Sequence, residues 1–407
     1  MNEQQIQEFL DSHDYDIRES HNARWIDQKC TPDVIWSIAD FIGVYVDEVN
    51  DQFTVNDIWH SDYAQQSVDE TYSKPGTKSE KAGNEYDKFF SQPINLLCYA
   101  GVIKDIGTGK RHSYIVENKG VLEYIARNDI YSYRFLVMYI TNVLKDSGLY
   151  NLFDTFFEEQ NKSSFARVKE AFIAFYKRYT PVQGDFEPKR IFTKVINPLA
   201  CNKHKLGSVK GRLSERNIPY SDLMYNRDNF RDVNSEKPKE ITRKEWEERI
   251  GVRPNIGYWT QLMNSAKRRL KQFNTEYRFG LSELSRYLEG HDDSEPATQI
   301  HHIFPRNEFP AIMHYLENLI CLTPNEHFGF AHPNNVTGMI DLAAQKELLI
   351  AKTYSIEENL TSNDEEHIYE FDNLLHVLSE GWDDSSVLDI AEDDYCDVLY
   401  AINCHYN

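Results

Sequence analysis

The stretch from 298 to 335 reads TQIHHIFPRNEFPAIMHYLENLICLTPNEHFGFAHPNN. Two histidines, His301 and His302, stand side by side in it. Adjacent residues on a strand point to opposite faces, so the two rings cannot both face one ligand, and each needs its own task. A second apolar run, Leu319 to Leu322, follows Asn318, and His327 lies nine residues after Asn318. Thr323-Pro324-Asn325-Glu326 precedes it. This is a capping-box pattern with proline at the first helical position. It pins a helix start and places His327 in the first turn, while Gly329 and Pro333 keep the helix short.

These features together resemble the HNH, or ββα-metal, nuclease family. Its pattern is Asp/His-His-Ile-x-Pro, then Asn-Leu-x-x-Leu, then His or Asn in the following helix. The likeness covers under a tenth of the chain. It implies a ββ hairpin crossed by a helix, with the paired histidines doing different jobs on opposite sides of a twisted strand. His301 matches a metal ligand, His302 the general base and His327 the second protein ligand. Asn318 matches the residue whose side chain bonds backbone and holds the loop in shape. A neutral imidazole can take a proton from water near neutral pH. One divalent cation can stabilise the leaving 3′ oxygen without a proton donor. The implied cofactor is one divalent ion per site, Mg2+ first, with Mn2+, Co2+, Ni2+ or Zn2+ as alternatives that suit imidazole. The expected products are a 5′-phosphate and a 3′-hydroxyl.

The chain departs from the pattern at His332. Some relatives carry a further helix histidine four residues on, where this chain has Ala331. His332 is therefore read as a ligand, a phosphate contact or a structural residue. Arg306 is read as a contact to the scissile phosphate or an exposed loop arginine, and His314 as a surface residue. Many family members add a zinc knuckle of four cysteines. This chain has none, so its ββα unit must rest on the surrounding helices.

The 407 residues carry a net charge of −21, unevenly spread. Residues 353–407 hold 15 Asp/Glu and no Lys/Arg, and residues 1–70 hold 16 against 3. The middle reverses this, with 13 Lys/Arg against 4 Asp/Glu over 160–216 and 9 against 4 over 241–280. A basic centre between acidic ends can bind phosphates while the ends keep the molecule in solution. Ordinary solvated helix faces would give the same counts. The six cysteines form no CxxC pair, which points to a reducing cytoplasm. The polar, acidic opening residues do not read as a signal peptide. No long apolar run predicts a membrane span, and the absence of a GxxxxGK[ST] motif argues against a nucleotide cofactor.

Thr31 and Pro32 open a predicted helix over 31–46, with apolar residues at Val34, Ile35, Ile38, Phe41 and Ile42 in helical period. Residues 73–85 read as a loop. A helix ending near Gly101 follows, or two helices broken at Pro93. Over 102–116 two β-like runs flank Gly107-Thr108-Gly109-Lys110, a hairpin signal. Helices followed by a Gly-tipped hairpin resemble a winged helix, with Lys110 and Arg111 near the wing tip. Packing or protein contact is the other use of such a fold. The aromatic residues over 121–180 read as core. Cys201 and His204 form a weak metal signal, and residues 231–249 read as a linker and a helix capped at Thr242.

The expected fold is α+β: a mostly helical, multi-domain chain with an N-terminal winged-helix-like domain and a C-terminal ββα-metal (HNH) nuclease domain. The expected segments are a winged-helix-like DNA-recognition domain over 1–125 and a helical, basic DNA-binding region over 126–235. An HNH nuclease domain over 236–350 and an acidic helical region over 351–407 complete the chain. The layout resembles HNH-type restriction endonucleases, which implies a site-specific enzyme acting on double-stranded DNA, often as a homodimer on a palindrome. The alternatives are a modification-dependent or signal-gated defence nuclease and a non-cleaving DNA-binding regulator. Candidate DNA contacts are Lys110, Arg111, Lys205, Lys210, Arg212, Lys267 and Arg268.

Overall fold

The computed structural model describes residues 1–72, 77–78, 83–108, 111–225, 256–291, 295–306, 308–331 and 341–406. The expected tip residue Lys110, the cap at Thr242 and His332 lie outside them. The chain is α+β, mostly helical with a few short strands, and divides into two compact units, Met1–Tyr258 and Trp259–Asn407.

The first unit opens with helices α1 (Glu3–Asp11) and α2 (Ile17–Ser20) and is built around α3 (Pro32–Glu48). Val34, Ile35, Trp36, Ile38, Ala39 and Ile42 of α3 are all fully buried. Every residue from Pro32 to Ile42 is buried, so this stretch of the helix lies at the centre of the core. Its two buried carboxylates are satisfied: Asp33 Oδ1 accepts the Tyr225 N–H (2.9 Å) and Asp40 Oδ2 the Tyr63 hydroxyl (2.6 Å). Helices α4 (Val55–His60), α5 (Asp62–Thr71) and α6 (Gly83–Tyr99) follow. Pro93 lies inside α6, so the segment is one helix rather than two. Gly101 then turns the chain at φ +78°, where an added Cβ would sit 2.5 Å from the His13 ring.

The predicted hairpin forms. Strand β2 (Ile103–Asp105) pairs antiparallel with β3 (Tyr114–Val116), and β3 also pairs with β1 (Gln52–Phe53), giving the order β1-β3-β2. Helices α7 (Lys119–Ile125), α8 (Asp129–Asp146), α9 (Tyr150–Glu159), α10 (Lys162–Tyr179) and α11 (Phe186–Asn202) come next. Their Phe and Tyr residues are largely core, as their spacing predicts. A second hairpin, β4 (Leu206–Val209) and β5 (Arg212–Asn217), packs on α11. Its two-residue turn places Lys210 at φ 51° and Gly211 at φ 75°, the left-handed pair that a tight hairpin turn needs. Asn197 of α11 grips β4 by donating to the Ser208 carbonyl (2.9 Å) and accepting the Ser208 N–H (2.7 Å).

Helix α12 (Ile256–Tyr277) carries the chain into the second unit. There α13 (Glu283–Tyr287), strands β6 (Gln299–His302) and β7 (Leu319–Leu322), and helices α14 (Leu342–Thr361), α15 (Phe371–Trp382) and α16 (Tyr395–His405) share one core. The acidic segment 351–407 is therefore not a separate body. Leu374, Leu378, Val398 and Ile402 are fully buried beside Leu319 and Ile320 of the hairpin. Most of the segment's carboxylates lie exposed on outward helix faces or in the connections, while Glu365 pairs with the buried Arg278. The four expected segments thus fall into two units. Among the described residues, no helix is long and apolar enough to cross a membrane.

Candidate active site

Strands β6 and β7 pair antiparallel with His301 opposite Ile320 and His302 opposite Leu319. All four β7 residues are buried, so this ribbon lies inside the unit. A buried ion pair fixes it from behind. Glu283 Oε1 accepts the Cys321 N–H (2.9 Å) and Glu283 Oε2 meets Lys352 Nζ (2.7 Å), with both side chains nearly inaccessible. Lys352 also donates to the Tyr369 hydroxyl (3.0 Å).

The connection between the strands is stapled by Asn318, which is fully buried. Its Oδ1 accepts the Phe304 N–H (2.8 Å), and its Nδ2 donates to the Phe304 and Ile312 carbonyls (3.2 Å each). The amide thus closes the bend just after the histidine pair and the short helical turn before β7. Gln345 of α14 adds a bond to the Ile303 carbonyl (2.8 Å). Gly381 of α15 gives Phe304 room, since an added Cβ would stand 2.3 Å from its ring.

The two histidines face different surroundings. His301 is buried, and its ring meets that of His327 at a centroid distance of 5.2 Å and an interplanar angle of 77°. His327 is presented by the turn Glu326–Ala331, which is π-helical. The capping box that starts this turn forms. Glu326 N–H donates to Thr323 Oγ1 (3.2 Å), and Thr323 N–H donates to Glu326 Oε2 (2.8 Å). The wider π turn still carries His327 in its first residues.

His302 is half-buried on the other side, and its Nε2 lies 3.1 Å from the Met313 carbonyl. A carbonyl can only accept, so Nε2 carries the proton and Nδ1 keeps its lone pair. Burial, then the nearby Lys267 and Arg306 charges, push the His302 pKa down to about 4, against the pull of the Met313 bond. The ring is therefore neutral near pH 7. Lys267 of α12 has its pKa lowered by burial and by Arg306. Among the described residues, neither Lys267 nor Arg306 has a carboxylate partner. Arg306 is exposed, its Nη1 3.9 Å from the Met263 sulfur. A neutral base beside two uncompensated cations is an arrangement that attracts an anion.

The second unit thus assembles His301, His302, Asn318, His327, Arg306 and Lys267. Arg268 lies on α12, one residue beyond Lys267. The first unit holds Arg111 in its β2–β3 connection, Lys205 just before β4, and Lys210 and Arg212 at the β4–β5 turn. Among the described residues, Cys201 and His204 do not converge on further ligands. His314, expected on the surface, is half-buried against Trp259 at 5.4 Å, and burial lowers its pKa to about 4. The sequence reading missed His291, whose Nε2 lies 3.1 Å from Glu347 and whose Nδ1 lies 3.8 Å from Glu326, the residue before His327. Only its place just upstream of the paired histidines hinted at it.

Among the described residues, no group of three or more His, Cys, Asp or Glu side chains converges as a metal site. The His301–His327 pair fits two ligands of one divalent ion, since imidazole suits such ions and two protein ligands leave positions open for substrate and water. No family model matches the chain, no curated protein is similar to it, and no solved structure matches its fold.

Proposed function

We propose that the second unit is a divalent-metal-dependent HNH endonuclease and that the whole chain is a site-specific, restriction-type enzyme acting on double-stranded DNA. The observation that carries this reading is His302. Its Nε2 proton is committed to the Met313 carbonyl, its ring is neutral, and Lys267 and Arg306 lie nearby. In the proposed reaction the scissile phosphate docks against Lys267 and Arg306, and His302 Nδ1 takes a proton from the attacking water. A bound phosphate offsets the two cations that depress the His302 pKa, which raises its basicity when substrate arrives. His301 and His327 would hold the divalent ion, which supplies charge stabilisation at the phosphate and the leaving 3′ oxygen. Asn318 keeps the histidine strand and its return in register.

The first unit is proposed as the recognition module. Its strand order β1-β3-β2, with helices α3, α4 and α6 between or before the strands, supports a winged-helix reading. Arg111 would then lie near the wing tip, and a homodimer would match a palindromic site. The test is digestion of plasmid and phage DNA, methylated and unmethylated, with Mg2+ or Mn2+. Discrete bands with 5′-phosphate and 3′-hydroxyl ends are expected. A smear contradicts site specificity, and intact DNA under every condition contradicts the nuclease reading.

A further inference from the structure

The first unit contains a cavity of about 940 Å3 between the start of α3, helices α10 and α11, and the β4–β5 hairpin. This volume is near the upper end of the range for small-molecule pockets, about 300–1,000 Å3. Seven of its lining residues are lysine or arginine, and one, Asp222, is acidic. Asp222 is held by Arg216 at 3.9 Å. Some of the cations are engaged: Lys29 pairs with Glu85, Lys189 with Asp185 (3.7 Å), and Lys169 donates to the Gly211 carbonyl (2.6 Å). Among the described residues, Arg190, Lys210 and Arg212 pair with no carboxylate. Unpaired positive charge gathered in a concave wall is a site for an anion.

A second feature points the same way. Thr31 lines the cavity, is 1% exposed, and its hydroxyl has no hydrogen-bond partner among the described residues. It precedes the 17-residue helix α3 yet makes no capping bond to it. A buried hydroxyl left open at a helix N-terminus is costly unless a ligand meets it, and the helix dipole favours negative charge there. The wall also offers apolar surface at Pro32, Pro198 and Leu223, and the Phe186 ring is 72% exposed with the Arg190 guanidinium 5.2 Å above it. Such surface suits a flat ring.

We propose that this cavity binds a small nucleotide carrying two or more phosphate groups, with Arg190, Lys210 and Arg212 on the phosphates and Thr31 bonding the innermost oxygen. The proposal does not rest on the nuclease reading, because binding is measured directly.

The test is calorimetric titration of the full chain with each of the four common nucleoside triphosphates, inorganic tripolyphosphate and a short DNA duplex. At least one nucleotide is expected to bind more tightly than tripolyphosphate. Joint replacement Arg190→Ala and Arg212→Ala should weaken it about tenfold or more. Thr31→Val, which keeps the shape and removes only the hydroxyl, should weaken it about threefold or more with Tm unchanged. The proposal fails if no nucleotide binds, if tripolyphosphate binds as tightly as any of them, or if affinity survives both variants. It also fails if the arginine replacements abolish duplex binding while no nucleotide binds, which would assign the cavity to the DNA backbone.

Discussion

His302 holds its proton on Nε2 because Met313 offers it only an acceptor, and the same bond orients the ring. Asn318→Ala removes one acceptor and two donor bonds from a fully buried site. The backbone groups it leaves unpaired should cost roughly 2–4 kcal/mol, read as a lower urea midpoint, with cleavage falling alongside. Glu317 gives a pH test. Burial raises its pKa from the ordinary carboxyl range to about 7, while Oε1 accepts the Glu370 N–H (2.9 Å). The folded chain therefore holds this proton more tightly than the unfolded one. The stability it contributes is full below the unfolded carboxyl pKa and is lost as pH rises through about 7. Glu317→Gln keeps the acceptor and never ionises. Its stability should fall less between pH 5 and pH 8 than that of the wild type, by on the order of 1–3 kcal/mol. Equal pH dependence in urea unfolding would sink this assignment.

Elements hold the site through contacts that a sequence pattern does not display. The paired histidines, the Asn-Leu run and the Thr-Pro-Asn-Glu cap were legible because each is local, with residues at fixed short spacing. The Glu283–Lys352 pair was not legible, because the partners lie far apart in sequence and each alone reads as a surface charge. Lys352→Met should cost about 3–5 kcal/mol by stranding Glu283. Adding Glu283→Gln should recover part of that loss, because the stranded charge goes with it. Gly381 was equally silent until α15 was seen to press on Phe304. Gly381→Ala should lower stability by roughly 1–3 kcal/mol. It should also lower activity, because Phe304 sits next to the histidine strand. A Tm unchanged from wild type would remove that contact from the account. The β4–β5 hairpin was missed because its strands are short and its exposed positions polar, leaving only Lys210-Gly211 as a turn signal.

Across the whole molecule, composition misled about boundaries. The acidic run over 353–407 looks like a separate region in a charge count, yet its apolar positions complete the core of the second unit. Helical faces divide charge from apolar surface at every turn, so a charge run marks a face and not a domain. The net charge of −21 is likewise an average over a basic centre and two acidic ends. If DNA is held by those clusters, affinity should fall steeply with salt. Lys267→Ala together with Arg306→Ala should make the log-affinity against log-salt slope shallower by about 2. An unchanged slope would remove these two side chains from the contact.

We propose that His302 is the base and not part of the DNA-holding surface. The most direct measurement compares wild type and His302→Ala on one cleavable DNA, scoring cutting and binding on the same protein with circular dichroism to confirm the fold. Cutting should be lost while binding stays within about threefold, because the proposed phosphate contacts Lys267 and Arg306 remain. Cutting that persists in a folded His302→Ala protein, or binding lost together with cutting, would contradict this proposal.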